Sequence, residues 1–270
     1  MRNITVALAQ TSPILNDVAR NLQAMEHAVE QACQRKHVDL LVFPELCTTG
    51  YDCGMRFAEF AQLKTGDVVE QVAGWASAYG VHIVFGMAER QKVESVIYSA
   101  ALLVDPEGKV VGDYQKIHLR GEQRLVFRPG YRYVVAETEL GRLGFLVGWD
   151  LAFPEAARSL ALEGAELLCL CGSWQAPHAH EWRTLIAARA YENGVYLAAC
   201  NRVGEEPSDT FIGESMIVGP RGEVAARLDA DVAGIAVATI DLDRSRQVQE
   251  ETQLLQARQP RSYRGVVKMY

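Results

Sequence analysis

Apolar residues recur along this chain with two alternating periods. Short runs read as strands: Ile4 to Ala9, Leu40 to Phe43 (closed by Pro44), His82 to Phe85 and Tyr133 to Ala136. Further strands are predicted at Leu143 to Val147, Leu167 to Cys171, Val195 to Cys200 and Ala233 to Ile240. Between them lie stretches with helical spacing. From Asp17 to Arg35, Val18, Leu22, Met25 and Val29 fall on one helix face. Asp67 to Tyr79, Leu151 to Glu163, Glu181 to Asn193 and Asp241 to Gln256 read the same way. Two hairpins complete the pattern. One spans Val96 to Gln115 and turns at Asp105-Pro106-Glu107-Gly108; the other spans Ser215 to Arg227 and turns at Gly219-Pro220-Arg221-Gly222.

The hairpins echo each other, SAALLVDPEGKVVGD against GESMIVGPRGEVAARL, which suggests two similar halves, each a sheet carrying helices. No linker separates them, so residues 1–270 are expected to form one domain. The architecture predicted is α/β: two sheets face to face with helices outside, a four-layer α-β-β-α sandwich. The polar, Arg-rich tail from about residue 257 to 270 needs another surface, and another subunit is expected to supply it.

Composition narrows the classes. Hydrophobic residues make up 49% and charged residues 23%, ordinary for a soluble globular chain. A net charge of −7 with scattered basic residues argues against nucleic acid as a partner. No apolar run approaches the roughly 18 residues needed to span a bilayer, and the start lacks signal-peptide character. A cytoplasmic protein with no membrane partner is expected. Its six cysteines show no Cys-x-x-Cys spacing and read as reduced, mostly buried thiols.

Candidate chemistry stands where apolar strands end. Glu45 follows LLVFP, Lys116 follows VVGDYQ, and Glu122 lies in the loop IHLRGEQR. A carboxylate and an ammonium there serve as base and electrophile, although each alone is more often a surface charge. The run GRLGFLVGWDLAFPE reads as a strand turning sharply into a helix, a corner where a nucleophile is often presented. Its corner residue is Gly148, which has no side chain. His178-x-His180 after Trp174 lacks further ligands at metal-site spacing, so no metal or other cofactor is expected. A Cys171–His178 nucleophile and base pair is disfavoured, because Cys169-x-Cys171 reads as one buried strand face.

Four ordered segments together resemble the nitrilase (carbon-nitrogen hydrolase) superfamily over nearly the whole chain. LLVFPELCTTGY looks like the segment carrying the catalytic glutamate, here Glu45, and GDYQKIHL like the lysine segment, here Lys116. GEQRLVFRPG resembles the following loop, with its glutamate at Glu122. GFLVGWDLAFPEAAR resembles the nucleophile segment, whose cysteine position is occupied by Gly148.

The resemblance implies a mechanism. Glu45 takes the thiol proton, the thiolate attacks an amide carbon, and Lys116 with the Trp149 N–H holds the oxyanion. The C–N bond breaks as ammonia or an amine leaves, Glu45 then activates water against the thioester, and Glu122 orients the lysine or the leaving group. Without the cysteine, binding survives and the covalent step does not. A small polar gap filled by water is expected beside Glu45 and Lys116.

Two readings follow: an amidase disabled at its nucleophile, or a natural non-catalytic binding or assembly protein. Slow hydrolysis by water activated at Glu45 is a third. A small amide or N-carbamoyl amine fits the family better than a nitrile. Tyr51 and Trp174 are candidate pocket walls, and Arg183, Arg124 and Arg202 are candidate anchors for a substrate carboxylate. The family also implies a homodimer or larger homo-oligomer.

Overall fold

Period-two alternation sends Val6 and Leu8 to one side of the first strand and Ala7 and Ala9 to the other, and both sides are buried. A strand apolar on both faces lies in an inner layer. The structure, a computed structural model, describes residues 1–35, 37–92 and 96–268.

The first half holds β1 (Asn3–Gln10), α1 (Val18–Arg35), β2 (Leu40–Val42), α2 (Phe57–Phe60) and α3 (Asp67–Tyr79). It continues with β3 (His82–Arg90), β4 (Ile97–Val104) and β5 (Val110–Gln115). The second half opens with α4 (Gln123–Val126), β6 (Val135–Glu137), β7 (Arg142–Val147), α5 (Pro154–Leu162) and β8 (Leu167–Cys171). Then come α6 (Ala179–Asn193), β9 (Tyr196–Cys200), β10 (Val203–Glu205) and β11 (Thr210–Ile212). β12 (Met216–Val218), β13 (Val224–Arg227), β14 (Gly234–Asp241) and α7 (Asp243–Thr252) follow, and among the described residues two short 3-10 turns, Pro260–Ser262 and Arg264–Val267, lie beyond them.

Two six-stranded sheets result, ordered β14-β1-β2-β3-β4-β5 and β13-β12-β9-β8-β7-β6. Read from β14 and from β6, both sheets run antiparallel, parallel, parallel, antiparallel, antiparallel. The predicted echo between the hairpins is thus a repeat of the whole sheet plan. Inward side chains of both sheets, among them Leu8, Val42, Phe145 and Cys171, form one core between them. α1 and α3 cover the first sheet, with Met25, Val29 and Trp75 against Leu41 and Phe85. α5 and α6 cover the second, with Leu160 and Trp182 against Leu146 and Leu197. The four-layer α-β-β-α sandwich is the observed fold.

The differences in detail have local causes. The helix expected from Leu151 begins only at Pro154, because Gly148–Ala152 forms a tight 3-10 turn and proline suits a first helical position. The final helix is trimmed to Asp243–Thr252, where Gln253 turns left-handed at φ 53°. From Gln259 to Lys268 the tail is exposed throughout; residues 269 and 270 lie outside the described residues. No described helix is long and apolar enough to cross a membrane.

Candidate active site

Glu45, Lys116, Gly148 and Ser173 each lie within three residues beyond a strand's C-terminal end, after β2, β5, β7 and β8. Strand order brings these ends together at one edge of the inter-sheet core. The Glu45 N–H donates to the Gly172 carbonyl (3.1 Å), and the Ser173 hydroxyl donates to the Glu45 carbonyl (3.2 Å). Both bonds tie the first sheet to the second at the glutamate itself. Close approach is needed on its other flank: a Cβ at Gly86 would stand 2.6 Å from the Glu45 Cα and 2.6 Å from the Pro44 carbonyl oxygen. Leu46, the next residue, is held left-handed at φ 49°, a conformation that costs a non-glycine residue roughly 1–2 kcal/mol.

The side chains form a buried polar cluster. Lys116 Nζ donates to Glu45 Oε1 (2.7 Å) and to Gln123 Oε1 (2.8 Å). Ser99 Oγ (3.1 Å) and Gln123 Nε2 (3.3 Å) also donate to Glu45 Oε1. Glu45 and Lys116 are 1% and 2% exposed, so the pair is sealed from water, and Ser99 and Gln123 supply the bonds that water would otherwise make.

Gly148 adopts φ +48° at the corner. A Cβ placed there would stand 2.8 Å from Lys116 Nζ and 3.1 Å from Glu45 Cδ, and would overlap Glu45 Oε2. The place where a side chain at 148 would begin is therefore taken by the Glu45 carboxylate, and the water-sized gap beside Glu45 and Lys116 lies next to it, lined also by Trp149. The Glu45 carboxylate and the Lys116 ammonium close over the corner, since nothing on glycine keeps them out.

Asp150 fixes the corner from beneath. Its Oδ2 accepts from Tyr114 Oη (2.7 Å) and the Val147 N–H (3.0 Å), and its Oδ1 accepts from the His118 N–H (3.0 Å). The His118 ring meets the same carboxylate at 2.8 Å and stacks on Phe153. Burial, then the charge of Asp150, push the Tyr114 phenol well above its ordinary range, so it stays a donor.

One site residue is corrected. Glu122 is exposed, and it is Gln123, the next residue, whose buried side chain bridges Lys116 and Glu45. The cause is helical phase: in α4 and the residue after it, Gln123, Val126 and Phe127 share the inward face while Glu122 points to solvent.

Above the cluster lies a cavity of about 20 Å³ lined by Glu45, Lys116, Trp149, Tyr51, Trp174 and Arg120, among others. A larger cavity of about 370 Å³ shares Tyr51, Arg120 and Gln175 with it and reaches Glu122 and Gln123. The Glu206 carboxylate holds the Tyr51 loop, accepting from the N–H groups of Tyr51 (3.0 Å) and Asp52 (2.6 Å). Buried Arg202 pairs with Glu206 and lies over the Phe211 ring, against which Tyr51 packs.

Arg202 is thus internally occupied. Arg183 is paired with Glu214, and Arg124 donates to the Leu119 carbonyl (3.0 Å). Cys171 is fully buried between the sheets, where burial pushes its thiol far above the ordinary range. His178 bonds Glu181 (3.0 Å), and among the described residues no group of three His, Cys, Asp or Glu side chains is arranged to hold a metal ion.

Residues 5–250 match the family described as carbon-nitrogen hydrolase. A Schizosaccharomyces pombe protein described as a probable nitrilase is 37% identical over 241 residues, covering 88% of this chain and 89% of that one. The crystal structure of a carbon-nitrogen hydrolase from Helicobacter pylori superposes with a TM-score of 0.92 at 27% identity, covering 99% of each chain. A glutamate-to-glutamine mutant of the amidase from Nesterenkonia sp. AN1, solved with the acetamide moiety of fluoroacetamide covalently added at its active-site cysteine, gives a TM-score of 0.86 at 27% identity. It covers 97% of this chain and 96% of that one. By sequence match and fold alike, this chain belongs to the carbon-nitrogen hydrolase family of the nitrilase superfamily.

Proposed function

We propose that this protein binds a small carboxamide or N-carbamoyl amine in the family's site and is disabled for turnover, because Gly148 stands at the nucleophile's position. The observation that carries this reading is the buried Glu45–Lys116 pair closed over the Gly148 corner. The amidase from Nesterenkonia, a mutant of which carries the acetamide moiety of fluoroacetamide on its active-site cysteine, supports the amide class.

In this reading Lys116 and the Trp149 N–H polarise the substrate carbonyl, and Gln123 keeps Lys116 aimed. Tyr51 and Trp174 wall the acyl pocket. Glu45 acts as the base, with no thiol to deprotonate, so no thioester forms and the amide leaves unchanged. The cavity above the Glu45 and Lys116 head groups, about 20 Å³, has room for about one water, so the substrate carbonyl enters as the two head groups part. No metal or cofactor enters this scheme. The exposed tail, with Val266 and Val267 facing solvent, is assigned to contact with a second copy in a homo-oligomer.

The closed corner also favours the second reading, a non-catalytic assembly protein with no affinity for amides. Calorimetric titration with acetamide, butyramide and N-carbamoyl amines separates the two. Saturable binding to the Gly148 protein, together with ammonia release by Gly148→Cys, supports the disabled hydrolase. Absence of both supports the assembly protein.

A further inference from the structure

The buried face of α6 carries a charge. Trp182, Ile186, Arg189, Ala190 and Asn193 make up that face, and Arg189 is only 6% exposed. An arginine is seldom buried this far unless its N–H groups are matched, because its charge is costly to take out of water. An apolar side chain would serve packing alone at that position.

The groups that match it lie at the corner. Arg189 Nε donates to the Leu151 carbonyl (3.1 Å) and Nη2 to the Ala152 carbonyl (3.1 Å). These are the last two residues of the Gly148–Ala152 turn, and Pro154, which opens α5, has no N–H to offer them. Nη1 donates to Glu192 Oε1 (3.0 Å) one turn along α6, which fixes the guanidinium fork and balances its charge. The turn is gripped at both ends. At its start the Asp150 carboxylate accepts the Val147 and His118 N–H groups, and at its finish Arg189 takes the two carbonyls. Trp149, which lines the corner cavity, lies between the grips.

We propose that Arg189 is a positioning residue of this site: it holds the turn so that the Trp149 N–H stays aimed at the ligand's carbonyl oxygen. The aim is thereby tied to α6, a helix that lines neither cavity of the site. This rests on the amide-binding reading, in which that N–H polarises the carbonyl. A donor fixed before charge develops on the oxygen favours the transition state over the bound ground state. Loosening Arg189 should therefore lower kcat and leave KM nearly alone.

Two measurements test this, each with and without Arg189→Lys: ammonia release from butyramide in the Gly148→Cys background, and amide hydrogen exchange in the parent. Lysine keeps the charge beside Glu192 but cannot span two carbonyls. In Arg189→Lys, kcat is expected to fall about tenfold or more with KM within about threefold. Exchange at the hydrogen-bonded amides of Val147 and Phe153 should quicken by about tenfold or more, with β8 and β9 unchanged. Glu192→Gln alters a side chain that is 32% exposed and loosens only Nη1. It should lower kcat by about threefold at steady KM, and it decides the question if Arg189→Lys does not fold. Unchanged kcat in both variants overturns the proposal. Exchange that rises equally in the corner, β8 and β9 also overturns it, since Arg189 would then stabilise the fold at large. If Gly148→Cys releases no ammonia the hydrolase reading fails, and local exchange in the parent still decides for or against the grip.

Discussion

The Glu45 carboxylate lies where a side chain at position 148 would begin. One oxygen, Oε1, is held by Lys116, Ser99 and Gln123, while Oε2 overlaps the space of a Gly148 Cβ. The consequence is mechanical as well as chemical. In the proposed reading glycine removes the nucleophile; in the structure it also leaves the space at the corner to the Glu45 carboxylate and the Lys116 ammonium. A restored side chain would have to displace the end of the flexible Glu45, a small movement, in a backbone whose left-handed φ costs a non-glycine residue roughly 1–2 kcal/mol.

Breaking the buried pair from one side should be severe. Lys116→Met leaves the Glu45 carboxylate sealed and unmatched, and we expect a loss of about 3–5 kcal/mol in urea unfolding. Adding Glu45→Gln to Lys116→Met should recover a large part of that loss, because the uncompensated charge is gone. Additive losses in the double variant would show that the two side chains are not energetically coupled.

Gly86→Ala should displace Glu45 without touching any site side chain. The added methyl would stand 2.6 Å from the Glu45 Cα, against backbone that cannot swing away. Amide affinity should fall at least tenfold and stability by roughly 1–3 kcal/mol, the usual scale for overpacking. Unchanged calorimetric affinity in a folded Gly86→Ala protein would contradict the claim that this glycine sets the base.

The neighbours Glu122 and Gln123 should behave oppositely. Gln123→Leu removes the acceptor of Lys116 and a donor to Glu45, so amide binding should weaken by about tenfold or more. Glu122→Gln alters an exposed carboxyl and should change affinity less than about twofold, within the usual range for surface positions. Ligand titration of the two variants decides between them.

Away from the site, Glu89 gives the chain a pH dependence. Burial, and next the charge of Asp113, push its carboxyl up to about 7 from the ordinary 4.5. Between those values the folded chain holds a proton that the unfolded chain has lost. The stability from this group is therefore full below about pH 4.5 and is lost as the pH rises through about 7. Unfolding free energies at pH 5 and pH 8 should differ by on the order of 2–3 kcal/mol from Glu89 alone. Glu89→Gln should flatten that slope; an identical slope in the variant would assign it to other groups.

Much of this was legible in the sequence because it is carried by periodicity. Val6 against Ala7, and Cys169 with Cys171 on one face, fix inward and outward sides of strands whatever they pack on. Glu45 and Lys116 were readable as charges at strand ends. The Glu122 assignment failed because a loop offers no period by which to phase a residue. The spacing of Gln123, Val126 and Phe127 at i, i+3 and i+4 was the available signal, short enough to be masked by the charges around it. The closure of Glu45 over Gly148 had no local signal at all. It depends on two strand ends, 103 residues apart in number, that meet only in the folded sheets.

The central claim is that the missing thiol at position 148 disables this chain for amide turnover. Intact-mass spectrometry of Gly148→Cys mixed with a small amide measures it most directly. The account predicts a mass increase equal to the acyl group, accompanied by a burst of ammonia stoichiometric with protein, and neither signal from the Gly148 parent. Turnover by the parent equal to that of Gly148→Cys would contradict it and require another nucleophile, with activated water the first to test.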